Sequence, residues 1–351
     1  MGREHDADAI RAAAHELTGA PGDFDALLDR IGDAGCVLLG ESTHGTAQFY
    51  AVRAHITKRL IEEQGFRAVA VEADGPDAER ADRWTRGAGH DPDAAAALGD
   101  FTRFPRWLWR NREVANFLGW LREHSAACPH EAIGLHGLDL PSPESWNRRE
   151  RHMAGTLRAL RTQLAAGGGT PGKVVVWAHN SHVGDARATE AADLGQLSLG
   201  QLAREAYGDD AVLVGLSTYE GTVTAAPERG APATTMRVEP AREDAVDALL
   251  HATGLANLLL VMGADARVDA ALQAMKLQRA IGAIYRPQTE RFSHYVFADV
   301  TRQFDALVHL DATSALEPLD PEPGGPAAPA RGPGSPDARA GMRPASRTTR
   351  R

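Results

Sequence analysis

The sequence predicts an α/β fold: one domain on a mostly parallel central sheet flanked by helices, with a disordered C-terminal tail. Three observations carry this expectation. Strand-like apolar runs alternate with helix-period segments along most of the chain. Runs such as VAVEAD and VVVWAHNSH start almost wholly apolar, as strands buried on both faces do. From Pro318 onward the chain is rich in Pro, Gly and Arg and nearly free of large apolar residues.

Residues 1–34 read as a helical lead-in of one or two short helices, broken at Pro21-Gly22. The α/β domain is expected over 35–317. Residues 36–41 form its first strand, and 46–64 a helix with apolar positions at helical spacing, stopped by Gly65. Residues 68–73 are the second strand and 77–86 a helix, while 87–100 is a loop with a short helical piece. Over 105–124 a helix is predicted, because Trp107, Leu108, Val114, Phe117, Leu118 and Leu121 share one face. A strand over 132–140 and a charged helix over 143–164 follow, then the most hydrophobic strand, 173–179. Residues 211–224 read as a strand that turns at Tyr219-Glu220-Gly221 and continues. Short strands are expected at 256–262, 280–285 and 305–310. Residues 318–351 cannot bury enough apolar surface to offset their ordering entropy and read as a disordered tail.

The 351 residues carry a formal charge of -9, which gives no case for nucleic acid or an anionic membrane as partner. A hydrophobic content of 43% supports a sizeable core. Cys36 and Cys128 cannot make a disulfide framework and suit reduced thiols of a cytoplasmic protein. The N-terminal MGREHDADAIRAAAHEL lacks an apolar stretch, so no secretory leader is expected, and no run reaches the ~20 apolar residues of a membrane span.

Chemistry concentrates at strand ends. In VLLGESTHGTAQF, Glu41 and His44 directly follow the first strand; Glu72 ends the second; His179 and His182 follow VVVW. Open α/β sheets hold ligands at such C-terminal ends. Three strand ends bearing Glu and His predict one polar site assembled from distant parts of the chain, and an enzyme. An imidazole can accept a proton near neutrality, and a carboxylate beside it can orient it and stabilise its cation. Gly45 would permit an unusual backbone next to the imidazole. The competing reading is a polar strand end that only bonds loop amides. His179 and His182 could share a cavity, and such a pair could bind a metal. No His-Glu-x-x-His or Cys-x-x-Cys spacing supports that, so no metal or other cofactor is expected, although a divalent metal stays open. Arg53 and Arg149 could neutralise an oxyanion or orient a carboxylate. They also suit surface charge pairs. Asp139, in GLDL, and His294, in TERFSHY, are candidates for substrate binding or for structural hydrogen bonds. Absence of a Gly-x-Ser-x-Gly elbow and of a phosphate-binding Gly loop argues against a serine hydrolase and nucleotide-driven chemistry.

The phrases LLGESTHGTAQFYAVRAHITKRLIEEQGFRAVAVEAD, FPRWLWRNREV, SWNRRERHMAGTL, VVVWAHNSHVGDARATE, GQLAREAYGDDAVLVG, TYEGTVTAA and RAIGAIYRPQTERFSHYVFADVTRQFDALVHLD together resemble the erythromycin esterase family, over residues 25–319. The resemblance implies an α/β hydrolase that opens ester bonds, and a small-molecule ester substrate. Best-known members open the macrolactone of erythromycin, which inactivates the antibiotic. It also implies His44 as the catalytic histidine, Glu41 and Glu72 as its supporting acids, His179 and His182 as the second histidine cluster, and Arg53 and Arg149 as site arginines. The implied mechanism is metal-free, the imidazole activating water. Two alternatives stay open: a metal-dependent hydrolase using the same Glu and His set, and a catalytically decayed relative that binds a small molecule. One departure stands out. Similar proteins carry a long, mostly helical segment between the GLDL strand and the SWN helix, whereas here PSPE alone joins Leu140 to Ser145. An open cleft is the expected consequence.

Overall fold

The computed structural model describes residues 2–129, 132–140, 145–165 and 172–320. Its strands, in chain order, are β1 (His15–Glu16), β2 (Cys36–Leu39), β3 (Ala68–Asp74), β4 (Gly134–Asp139), β5 (Val174–Trp177), β6 (Ala211–Ala225), β7 (Thr234–Val238), β8 (Asn257–Val261), β9 (Lys276–Arg279), β10 (Tyr295–Ala298) and β11 (Ala306–Thr313). The main sheet runs β1-β8-β11-β6-β2-β5-β3-β4, with β7 paired to β6, while β9 and β10 form a separate hairpin-like pair. From β11 to β4 every neighbour is parallel; β8, β1 and β7 add antiparallel edges.

The all-apolar strands explain the middle of this order. In β2, Val37 and Leu39 face one core and Cys36 and Leu38 the other; Val175 and Val174 divide in the same way in β5. Both faces are therefore covered, as a parallel sheet requires. Helices Ala47–Gln64 and Arg112–Ala127 supply one cover, through Phe49, Ile56, Phe117 and Leu121. Helices Trp146–Ala165 and Leu199–Tyr207 supply the other, through Met153, Leu157 and Leu199. Leu39 and Val71 both register with Trp177, so β2 and β5 end level while β3 runs on beside them through Glu72 to Asp74. Whatever follows these strands meets at one edge of the sheet.

Several expectations need correction. The helix predicted over 105–124 is a short turn, Arg106–Leu108, followed by helix Arg112–Ala127. Asn111 breaks it: its Oδ1 accepts the Val114 N–H at 2.8 Å and its Nδ2 donates to the Leu108 carbonyl at 2.9 Å, so it caps the second piece and closes the first. Residues 280–285 are not a strand. They follow β9 and cross the ends of other elements, with isolated bridges from Ile281 to Thr43 and from Ile284 to Ala226. Strand β6 runs unbroken through the expected turn, because β7 pairs along Gly221 to Ala225. The lead-in contains helices Gly2–Ala13 and Asp25–Ile31, and β1 between them extends the main sheet. Residues 318–320, assigned to the tail by sequence, pack on the domain: the Leu319 N–H donates to the Arg110 carbonyl at 3.0 Å. The rest of that tail and the PSPE connection lie outside the described residues. Among the described residues no helix is long and apolar enough to cross a membrane.

Candidate active site

Leu39 ends β2 and delivers Gly40 and Glu41 to the shared edge. Gly40 must lack a Cβ, which would lie 2.1 Å from Asn180 Oδ1. Asn180 in turn binds across to β6, its Nδ2 donating to the Leu216 carbonyl at 2.9 Å. Glu41 is buried with both oxygens engaged: Oε1 lies 2.8 Å from His44 Nδ1 and Oε2 lies 2.7 Å from Arg53 Nη2. A carboxylate at Nδ1 makes that nitrogen the N–H donor, which leaves the lone pair on Nε2. The backbone is fixed as well. The His44 N–H donates to the Ile281 carbonyl at 3.1 Å, and the Ile281 N–H donates to the Ser42 carbonyl at 2.8 Å. Arg53 is fully buried beneath Glu41, its guanidinium 4.2 Å from the Tyr50 ring centroid and 5.0 Å from that of Trp177.

Gly45 is needed for a different reason from the one expected. It does not take a left-handed backbone. Instead, a Cβ there would lie 1.8 Å from the Thr224 carbonyl oxygen of β6. Backbone cannot yield as a side chain can, so Gly45→Ala should cost at least about 3 kcal/mol, the upper end of ordinary overpacking. Urea unfolding of the purified variant measures this, and wild-type stability would contradict it.

The end of β3 contributes Glu72. Its Oε2 accepts the His179 backbone N–H at 2.9 Å, and its Oε1 lies 3.1 Å from His182 Nε2. His182 is held on its other side too, with Nδ1 2.6 Å from Glu150 Oε1. Glu150 Oε2 accepts the Leu199 N–H at 2.7 Å, and Trp146 stacks on the His182 ring at 4.6 Å. Burial opposes charge on His182, but Glu72 and Glu150 outweigh it and push the imidazole up to about 10. Burial likewise opposes charge on Glu72; the His182 cation, then His44 and Arg149, hold it well below the usual carboxylate range. His179 is the opposite case. Burial, reinforced by His44, pushes it down to about 3, so it is neutral. Its Nδ1 faces the Ser181 hydroxyl at 2.8 Å and accepts the Ser181 N–H at 3.2 Å, which places the proton on Nε2. That Nε2 is buried without a well-formed hydrogen bond, with Ser42 nearby. The His179 and His44 rings are 4.8 Å apart.

Arg149 joins the two strand ends: Nε donates to Asp139 Oδ1 at 3.1 Å and Nη2 lies 3.6 Å from Glu72 Oε1. His44, Glu72, Asp139, Arg149 and His294 line one cleft of about 960 Å³, with Phe101 and Trp109 among its apolar walls. His294 is on a different segment, where its Nε2 accepts the Arg286 N–H at 3.3 Å and burial lowers its pKa. Glu41, Arg53, His179 and His182 lie behind this lining. Glu150 was missed by sequence reading, being one charge among several in SWNRRERHM. Its spacing from Trp146, Met153 and Leu157 is the available signal, since it falls on the buried stripe of that helix. Among the described residues no three or more His, Cys, Asp or Glu side chains group as metal ligands. The carboxylates turn instead toward Arg53, Arg149 and His182.

The two buried histidines set opposite limbs of stability. His182, raised to about 10, contributes fully below the unfolded value of ~6.5 and loses its contribution as pH rises through about 10. His179, lowered to about 3, contributes above ~6.5 and loses its contribution as pH falls through about 3. From these groups, thermal stability should peak near neutrality. His182→Asn should flatten the alkaline limb, and an unchanged slope in melts across that range would contradict the assignment.

The family model described as erythromycin esterase matches residues 61–144 and 141–313, two pieces that meet where sequence places the shortened connection. The erythromycin esterase type II of Escherichia coli is 30% identical over 119 residues, which are 34% of this chain and 26% of that protein. The match therefore spans about a quarter of that relative's length. Among solved structures, a succinoglycan biosynthesis protein superposes with a TM-score of 0.73 at 18% identity, covering 91% of this chain and 99% of that one. A Bacillus cereus protein gives 0.68 at 18% identity, with coverage of 91% and 99%. A mutant of the erythromycin esterase EreC in its open conformation gives 0.58 at 15% identity, with coverage of 86% and 96%. At such identities these structures show the shared fold.

Proposed function

The chain belongs to the erythromycin esterase family, and from that premise we propose that it hydrolyses carboxylic esters, with His44 as general base toward water. The observation that carries the reading is the Glu41–His44 pair at the cleft, with Arg53 fixing the carboxylate from below. His44 Nε2 takes a proton from water as the water oxygen adds to the ester carbonyl. Glu41 stabilises the imidazolium that forms. Arg149 borders the cleft beside Glu72 and supplies positive charge near the developing oxyanion. General-base action supplies about 10²–10⁴-fold, and each oxyanion donor about 10²–10³-fold.

The reading needs no metal, since the base is already oriented and the carboxylates already have cationic partners. Metal analysis and a chelated assay test this, and full activity after chelation is expected. Macrolactones are the substrates we favour, on the strength of the relatives' names and of a cleft wide enough for a drug-sized ligand. The short Leu140–Ser145 connection would leave remote parts of a large substrate uncovered, so small activated esters should compete well with macrolactones. Mass spectrometry of the purified protein with a panel of macrolides and aryl esters is the experiment. Gain of one water is expected, and no gain on any ester would overturn the reading.

A further inference from the structure

Glu150, His182 and Glu72 form a line that leads from the protein interior to the cleft. Glu150 is fully buried; His182 sits between the two carboxylates at 2.6 Å and 3.1 Å; Glu72 borders the cleft together with His44. The base described above has no need of this line. His44 is already paired with Glu41, and His182, with both nitrogens occupied, has none left for substrate. The arrangement holds one mobile proton between two carboxylates, out of reach of bulk water. Ester hydrolysis needs such a proton at one point, when the leaving alkoxide departs.

We propose that Glu150 is a positioning residue for a proton relay, in which His182 stores the proton that Glu72 passes to the leaving alkoxide. The inference rests on the ester-hydrolase reading. As water attacks, one of its protons moves to His44 and the carbonyl becomes an oxyanion. When the C–O bond to the alcohol breaks, His182 Nε2 gives its proton to the Glu72 carboxylate, which passes it to the alkoxide. His182 is left neutral, with its Nδ1–H still donated to Glu150. His44 and the carboxylic acid product together then hold two dissociable protons. One returns through Glu72 to His182 and one leaves to solvent, so the net products are carboxylate, alcohol and one proton.

Glu150→Gln isolates the relay. The Gln oxygen can keep the Leu199 N–H, and its amide can face His182 Nδ1, which leaves Nε2–H pointing at Glu72. The contacts survive while the second carboxylate is lost. The test compares wild type and Glu150→Gln on two esters of one acyl group, a nitrophenyl ester and a simple alkyl ester. A nitrophenolate departs without a proton, whereas an alkoxide does not. The ratio of alkyl to nitrophenyl kcat should fall by about tenfold or more in the variant, within the range of general-acid effects. A general loss of structure would lower both rates together, and an unchanged ratio overturns the relay. Wild type gives an independent readout should the variant not fold. Its kcat across alcohols of increasing pKa should vary little, and a steep fall with rising leaving-group pKa overturns the relay. Hydrolysis of neither ester by wild type overturns the ester-hydrolase reading itself, an outcome distinct from either relay failure.

Discussion

His44→Asn is expected to keep its fold and lose about 10²–10⁴-fold in kcat, the usual worth of a positioned base. Asn can donate or accept a hydrogen bond in the loop but cannot take a proton from water at neutral pH. The backbone of residue 44 is held by Ile281 whatever its side chain, so the loop should stay in place. The melting temperature, measured beside the rate, separates lost chemistry from lost structure. Wild-type turnover by the variant would show that water gives its proton elsewhere, with Glu72 the next carboxylate in the cleft.

Arg53→Met is the second large effect, and it appears first in stability. Arg53 is fully buried, and Glu41 beside it is nearly so. Removing the guanidinium leaves an uncompensated carboxylate in the interior, at a cost of about 3–5 kcal/mol. Without the guanidinium the carboxylate is no longer fixed against His44, so it no longer orients the imidazole. Activity should fall with stability. Adding Glu41→Leu removes the stranded charge, so the double variant should regain part of the stability in urea unfolding while remaining inactive. Recovery of both, or of neither, would contradict this account of the pair.

The sequence was most legible where burial was most complete. Strands β2, β3 and β5 are covered on both faces, so they read as unbroken apolar runs, and the polar residues that end them stand out. Strands β7 and β10 were not found because they are short and partly exposed, too brief for a few alternating residues to stand out. The break before helix Arg112–Ala127 was hidden by apolar residues on both sides of it. Asn111, a good cap followed by Glu113, was the only local sign. Arg53 suited a surface charge pair as well as a site. Its burial depends on Trp177, over a hundred residues away in sequence, and no local pattern reports such a contact. Gly45 was noticed for the right position and the wrong reason, since the obstacle to a side chain is the Thr224 backbone. Glu150 was missed because one carboxylate in a charged run looks like a surface charge until the buried His182 opposite is known, although it falls on the helix's buried stripe.

Direct attack by water activated at His44 is the central claim, and a single turnover in ¹⁸O-labelled water tests it most directly. With enzyme in excess over a cleavable ester, products and intact protein are followed together by mass spectrometry. The account predicts one ¹⁸O atom in the carboxylate product, none in the alcohol, and an unchanged protein mass at every time point. A transient acyl adduct on the protein, or label appearing in the alcohol, would contradict it.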